Sequence, residues 1–350
     1  MATMAQAIRM ALHYGEEKLG VKDIFGEDVG APLGGVFTCT QGLRTAWNSP
    51  LDERGIIGCA LGLAMAGQKP VAEIQFSDYI FNTIDLLKLC GNTRWSSAGQ
   101  FTAQMVVMTP VGAGIHGSIY HSHSFESIMS HIPGWKIVIP SNAYDAYGLL
   151  ISAIKDPDPV MYLIPKALLR VRCEKIIPGE PTDTKKLNQM IDAPLGDRTQ
   201  WKPAWPELSD ISIPIGKANI CMEGNKLTII SYGRMLPLCL EAAQKVKNED
   251  QLSVEVIDLY TLYPYDEDAI IESVEKTGRV LVVNEDTEIT NFGEHIIRRI
   301  LDNCFYSLEA RPMLLAGANI PGVGLAEQLE RASLPSVESI VEAIRNKMTD

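Results

Sequence analysis

Short runs of β-branched and aliphatic residues alternate with longer segments of helical period along most of this chain of 350 residues. In the first half VAEIQF (71–76), AQMVVM (103–108), WKIVIP (135–140) and PVMYLI (159–164) read as strands, while Tyr79 to Cys90 and Ala143 to Ile154 read as helices. That alternation predicts an α/β domain with a mainly parallel sheet. From Pro178 to Asp210 the texture changes to Pro, Gly and polar residues without a sustained period, which predicts an inter-domain linker or surface excursion. LTIISYG (227–233), a helix from Pro237 to Asn248, VEVIDL (254–259), VLVVNED (280–286), a helix from Gly293 to Leu301 and PMLLAG (312–317) then form a second series, closed by a helix from Ser336 to Lys347. The pattern predicts two α/β domains, 1–178 and 211–350, separated by the excursion 179–210.

Composition adds exclusions. With 46% hydrophobic and 21% charged residues, the chain can bury a large core, and its length suits two domains at roughly 150 residues each. A net charge of -12 with no basic run argues against nucleic acid and against an anionic membrane surface. The seven cysteines are scattered, odd in number and never spaced C-x-x-C, so they read as reduced thiols rather than a disulfide framework or zinc knuckle. The longest apolar stretch, Ile56 to Ala66, falls short of the ~20 residues that span a bilayer. The opening TMAQAIRMALHYGEEK reads as an amphipathic helix carrying acids, not as a targeting signal, and a cytoplasmic location is expected.

Three features carry candidate chemistry. His116, His121, His123 and His131 crowd into sixteen residues, and imidazole titrates near neutrality, so proton transfer and metal binding are both open. His121 and His123 form an H-x-H pair that an extended strand would point to one face, with Glu126 or His131 available as a third ligand; GAGIHG (112–117) matches a dinucleotide fingerprint only literally, since no helix start or ribose-binding acid follows. Glu53 precedes a glycine-rich helix, where it is either an ordinary N-terminal charge or a carboxyl whose burial eases proton transfer. On that helix Gly58, Gly62 and Ala66 form a flat face, suited to close packing within the chain or to a subunit interface.

Ten segments occur together and in order: GEDVG (26–30), GGVF (34–37), SPLDERGIIG (49–58), EIQFSDYIF (73–81), YHSHS (120–124), HIPGWKIVIPSNAYDAYGLL (131–150), SAIKDPDPV (152–160), PIGKA (214–218), EVIDLYTLYP (255–264) and VVNEDT (282–287). On these the chain resembles the beta subunits of the thiamine-diphosphate-dependent first component of 2-oxo acid dehydrogenase complexes. The resemblance implies a pyrimidine-binding domain followed by a transketolase-C-terminal-like domain. It implies that Glu53 hydrogen-bonds N1′ of the cofactor's aminopyrimidine, favouring the imino tautomer that removes the thiazolium proton. It further places Glu27, Gln75 and Tyr79 at the cofactor, makes His121 the proton-handling residue of acyl transfer to lipoyl-lysine, and makes Ala153, Ile154, Asp156 and Asp158 candidate ligands of a structural potassium ion.

The chain also departs from that pattern. His123 stands where glutamine is usual, a second imidazole that would depress the pKa of one or both rings, and Met108 stands where arginine is common. It has no GDG segment to clamp magnesium on a diphosphate. The resemblance therefore implies an alpha subunit that carries the magnesium, an α2β2 assembly, a lipoyl acyltransferase core and a small 2-oxo acid substrate. GSIYHSHS, FSDYIF and PKALLR look closer to branched-chain than to pyruvate or acetoin members. A metal-dependent hydrolase using His121 and His123, and a non-catalytic paralogue, are the alternatives from other classes.

Overall fold

The computed structural model of the chain describes every residue except Asp197, Thr199 and Asp350. The elements run α1 (Met4–Tyr14), β1 (Ile24–Gly26), β2 (Ala46–Asn48), α2 (Glu53–Met65), β3 (Val71–Glu73), α3 (Ile84–Ser96), β4 (Val106–Val111), α4 (Glu126–Ser130), β5 (Lys136–Val138), α5 (Ala143–Lys155), β6 (Val160–Pro165) and α6 (Thr184–Ile191). They continue with β7 (Asn219–Met222), β8 (Leu227–Ser231), α7 (Met235–Asp250), β9 (Val254–Asp258), β10 (Thr261–Tyr263), α8 (Glu267–Thr277), β11 (Val280–Thr287), α9 (Phe292–Cys304), β12 (Met313–Gly317), α10 (Glu327–Ala332) and α11 (Val337–Thr349). Contacts divide the chain into one unit of Met1–Pro110, Ile132–Ile164 and Leu168–Ile215 and another of Val111–His131, Pro165–Ala167 and Gly216–Asp350.

In the first unit the strands lie in the order β5-β6-β4-β3-β1-β2. β1 pairs in parallel with β2 and β3, β3 with β4, and β5 with β6. β4 and β6 are buried along their whole length, as strands covered on both faces must be. Helix α1 starts at a capping box in which Thr3 and Gln6 exchange backbone and side-chain bonds of 3.3 and 3.0 Å. Far from lying on the surface, it is buried from Met4 to Leu12 and packs on α5. Its Arg9 is tolerated there because the guanidinium donates to the Thr38 and Ile191 carbonyls and pairs with Asp192 at 3.0 Å.

The second unit carries a sheet in the order β12-β11-β8-β9-β7, parallel except for β7, which runs antiparallel to β9 at the edge. Leu227, Ile229, Val256, Leu281 and Val283 form a core with residues of α7 and α11 such as Cys239, Ala243 and Ile344. The excursion 179–210 belongs to the first unit, where Asp183 caps α6 and the Ala204 amide bonds the Met190 carbonyl at 2.7 Å. All seven cysteines are free. Among the described residues no helix is long and apolar enough to cross a membrane.

Trp135, 1% exposed, ties the segment before β5 to α3 by an Nε1–H bond of 2.7 Å to the Leu87 carbonyl. Replacing Trp135 by Phe removes that bond and part of the packing, and is expected to lower unfolding free energy by about 2 kcal/mol in urea melts; an unchanged midpoint would contradict this role.

Candidate functional site

β1, β2 and β3 run in parallel, so their carboxyl ends share one edge, the place where open α/β sheets present ligand-binding residues. Glu27 and Asp28 follow β1, Glu53 is the first residue of the helix after β2, and Gln75 follows β3. Gln75 donates from Nε2 to Asp28 Oδ2 at 2.9 Å and to the Glu27 carbonyl at 3.5 Å. Asn82 donates to Glu53 Oε2 at 3.2 Å. Tyr79 stands edge-on to Phe76, with ring centroids 5.7 Å apart. Burial lifts the pKa of Glu27, and the carboxylates of Glu53 and Asp28 lift it further. Burial likewise lifts that of Tyr79, with Asp78, Glu27 and Glu53 adding to it. Glu27 Oε1 is buried without a hydrogen-bond partner, a costly arrangement that a donor from a bound group would relieve. The four residues tied to the cofactor by resemblance in this unit thus lie in one electrostatically coupled group.

The histidine segment belongs to the second unit. Gly112 has φ +79, and a Cβ there would meet Glu285 Oε1 at 2.2 Å, so only glycine lets the chain pass. The next amide, of Ala113, donates to Glu285 Oε2 at 3.0 Å, and Arg234 neutralises that carboxylate at 3.1 Å. The His116 amide bonds Glu330 Oε2 at 3.0 Å, and the Ser127 hydroxyl accepts from the Phe292 amide at 3.0 Å. No strand forms across 121–125, so the H-x-H pair does not present two rings on one strand face. His121 Nδ1 lies 3.1 Å from the Gly117 carbonyl, which can only accept; the neutral ring therefore carries its proton on Nδ1 and its lone pair on Nε2. His123, and not His121, lines a cavity of about 250 Å3 with Ser118, Ser122, Ser124, Asp286 and Asn319.

Glu126, weighed as a third metal ligand, is 2% exposed and accepts from the Phe125 amide. Burial, then Asp286, push its pKa well above the ordinary carboxylate range, which disfavours the ionised form a metal ligand needs. Among the described residues no three His, Cys, Asp or Glu side chains are placed to hold a metal ion.

Helix α2 buries Ile56, Ile57, Ala60, Leu61 and Ala64. A Cβ added at Gly58 or Gly62 would meet nothing within 4 Å. The flat glycine face is therefore not filled by packing within the described chain.

Residues 1–172 match the family described as transketolase, pyrimidine binding domain, and residues 216–340 the transketolase C-terminal domain. The chain is 35% identical over 347 residues to the 2-oxoisovalerate dehydrogenase subunit beta of Bacillus subtilis, covering 97% of this chain and 96% of that one. It is 37% identical over 355 residues to the pyruvate dehydrogenase E1 component subunit beta of Staphylococcus aureus, covering 99% and 98%. The chain belongs to the family of 2-oxo acid dehydrogenase beta subunits. A 2-oxoisovalerate dehydrogenase subunit beta of mitochondria in Dictyostelium discoideum is 37% identical over 324 residues, covering 90% of this chain and 79% of that one. A solved split-gene transketolase, an inactive beta4 tetramer, shares the fold at TM-score 0.70 and 17% identity, covering 99% of this chain and 98% of that one. Members of this beta-subunit family are thiamine-diphosphate-dependent oxidoreductases.

In this beta subunit the loop after α5 is satisfied from within. Asp156 binds Lys136 Nζ through both oxygens at 2.8 and 2.7 Å, and Asp158 pairs with Arg94 at 2.7 Å. The Ala153 carbonyl accepts from the Asp156 amide and the Ile154 carbonyl from Gln104. The four candidate ligands thus already have donors, two of them cationic, and the geometry gives a potassium ion no support. Met108 is fully buried on β4, where an arginine would be desolvated.

Glu73 escaped the sequence reading. It sits in EIQF at the end of β3, 4% exposed, and burial pushes its carboxyl up to about 7. The available signal was an acid at an inward position of an apolar run. Because the folded-state pKa lies above the ordinary 4.5, the group weakens folding as pH rises from about 4.5 to about 7 and costs nothing below that window. Glu73→Gln is therefore expected to stabilise the chain by up to about 3 kcal/mol at pH 8 and hardly at all at pH 4 in melts across pH; an equal effect at both ends would refute the assignment.

Proposed function

We propose that this chain is the beta subunit of a branched-chain 2-oxo acid dehydrogenase and contributes the pyrimidine half of a thiamine diphosphate site. The observation that carries the reading is the coupled group of Glu27, Glu53, Gln75 and Tyr79 at the carboxyl ends of β1 to β3, with a buried Glu27 oxygen awaiting a donor. Thiamine diphosphate, when bound, supplies the nucleophilic carbon and the electron sink for decarboxylation of a 2-oxo acid. Glu53 holds a proton at the pyrimidine ring nitrogen, kept in place by the Asn82 amide. Burial, then the Glu53 carboxylate, raise the pKa of Glu27, so this carboxyl resists ionising beside Glu53. Tyr79 offers a flat wall. His121, with its lone pair on Nε2, accepts and returns a proton as the acyl group passes to lipoyl-lysine.

The diphosphate and its magnesium belong, on this reading, to an alpha subunit, since no GDG segment exists in the chain. The open glycine face of α2 is a place for that subunit's backbone to approach, within an α2β2 assembly docked on a lipoyl acyltransferase core. A second reading, pyruvate as substrate, is favoured by the comparable 37% identity to pyruvate dehydrogenase relatives.

Purified with its alpha subunit, the enzyme is expected to decarboxylate 2-oxoisovalerate faster than pyruvate, only with added thiamine diphosphate; preference for pyruvate would select the second reading. In that assembly Glu53→Gln is expected to cut turnover by at least about 100-fold without loosening the subunits, in line with general acid–base contributions. Wild-type turnover would remove Glu53 from the mechanism. Gly58→Leu with Gly62→Leu is expected to leave the melting temperature of the isolated chain level or slightly higher, because leucine is the better helix former, while abolishing co-elution with the alpha subunit. Retained co-elution would show that this face is free in the assembly.

A further inference from the structure

On the first unit, beside the start of α1, a cavity of about 420 Å3 has a charged lining of Arg9, Arg170, Arg172 and Arg198 against Asp192. The chain as a whole carries a net charge of -12, so four guanidiniums facing one described acid reverse the local sign. Arg9 forms a fixed floor. It is 1% exposed and held by the Thr38 carbonyl at 2.9 Å, the Ile191 carbonyl at 2.6 Å and Asp192 at 3.0 Å. Burial pulls its pKa below the ordinary range in spite of Asp192, and the charge of Arg170 adds to that pull.

The other three are loosely held. Arg170 reaches Thr38 Oγ1 and the Phe37 carbonyl at 3.4 Å each, Arg172 reaches the Met1 carbonyl and, at 3.5 Å, Asn188, and Arg198 reaches the Pro194 carbonyl at 3.2 Å. Among the described residues none of these three forms an ion pair. Most of their donors remain available, and their like charges repel across the cavity. Thr38, gripped by Arg9 and Arg170, has φ +64, a strained backbone for a β-branched residue and one that tends to persist at ligand clamps. A neighbouring cavity of about 810 Å3 shares Gln41, Ala193 and Arg198 with the first and is bounded by Leu33, Leu43 and Trp201. The charged chamber therefore opens toward an apolar one with room for the body of a ligand.

We propose that the arginine cavity binds a small multivalent oxyanion, phosphoryl or polycarboxylate, with Arg9 as its floor and Arg170 and Arg172 closing on it. Guanidinium forks match the planar pairs of oxygens that both groups present. The site is independent of the thiamine diphosphate reading, since it uses none of the residues assigned there.

The test is isothermal titration of the purified full chain, at constant ionic strength and without thiamine diphosphate, using pyrophosphate and citrate as separate probes. At least one is expected to bind saturably at one per chain, and the stronger of the two identifies the ligand as a phosphoryl or a carboxylate compound. Arg170→Met with Arg172→Met is expected to weaken that probe at least about tenfold, whereas Arg298→Met with Arg331→Met, an equal loss of charge on the second unit, leaves it within about twofold. If the first pair melts early, Arg170→Lys with Arg172→Lys is measured instead; it keeps the charge but loses the forks, and a drop of about threefold or more is expected. Binding of neither probe, or equal weakening by both methionine pairs, overturns the site.

Discussion

The close pairing of β1 with β3 governs where the chemistry sits. Gly26 ends β1 in register with Glu73, and a Cβ on Gly26 would meet the Glu73 carbonyl oxygen at 2.2 Å. A side chain there would force the strands apart. With glycine the parallel ladder closes, the carboxyl ends of β1, β2 and β3 come level, and the residues that follow them face one another. Glu27, Glu53 and Gln75 are separated widely in sequence and are gathered by this registry alone.

Gathering carboxyl groups has an electrostatic cost, and its distribution is informative. Burial is the leading cause of the raised pKa of both Glu27 and Glu73. Glu27 adds repulsion from two neighbouring carboxylates, and one of its oxygens has no partner. A chain selected for stability alone would place an apolar side chain or a lysine there. The arrangement makes sense if a ligand with a ring nitrogen and an amino group completes the hydrogen bonding. On the helix that begins with Glu53, one side of α2 holds the core, and a Cβ at Gly58 or Gly62 on the other would meet nothing within the described chain.

Alternation of strand and helix was legible in the chain, because β4, β6, β8, β9 and β11 are apolar enough to stand out and α5, α7 and α11 keep a helical period. The three-residue strands β1 and β2 were not, since they are too short for a period to show, although Glu27 and Glu53 follow them. The segment before α3 reads as one helix but forms 3-10 turns over Ser77–Thr83 first. Pro and Gly in 179–210 concealed that this stretch packs on the first unit through α6. The N-terminal helix reads as amphipathic because Gln6 and Arg9 are polar, and only tertiary partners for Arg9 reveal its burial. For the site, the resemblance named Glu27, Glu53, Gln75 and Tyr79 together. Spacing alone could not have found Glu73, whose raised pKa comes from desolvation. The histidines show the opposite failure, because their H-x-H spacing implied a strand that the glycine-rich backbone does not form.

On the proposed function, this chain holds half of a thiamine diphosphate site. The most direct measurement is the binding of thiamine diphosphate with magnesium, by titration calorimetry, to the isolated chain and to the chain assembled with its alpha subunit. With Arg170→Met and Arg172→Met in both samples, so that the diphosphate cannot engage the arginine cavity, saturable binding of one cofactor per alpha–beta pair is expected in the assembly and none measurable on the isolated chain at the same concentrations. Stoichiometric binding of comparable affinity by the isolated chain would contradict it.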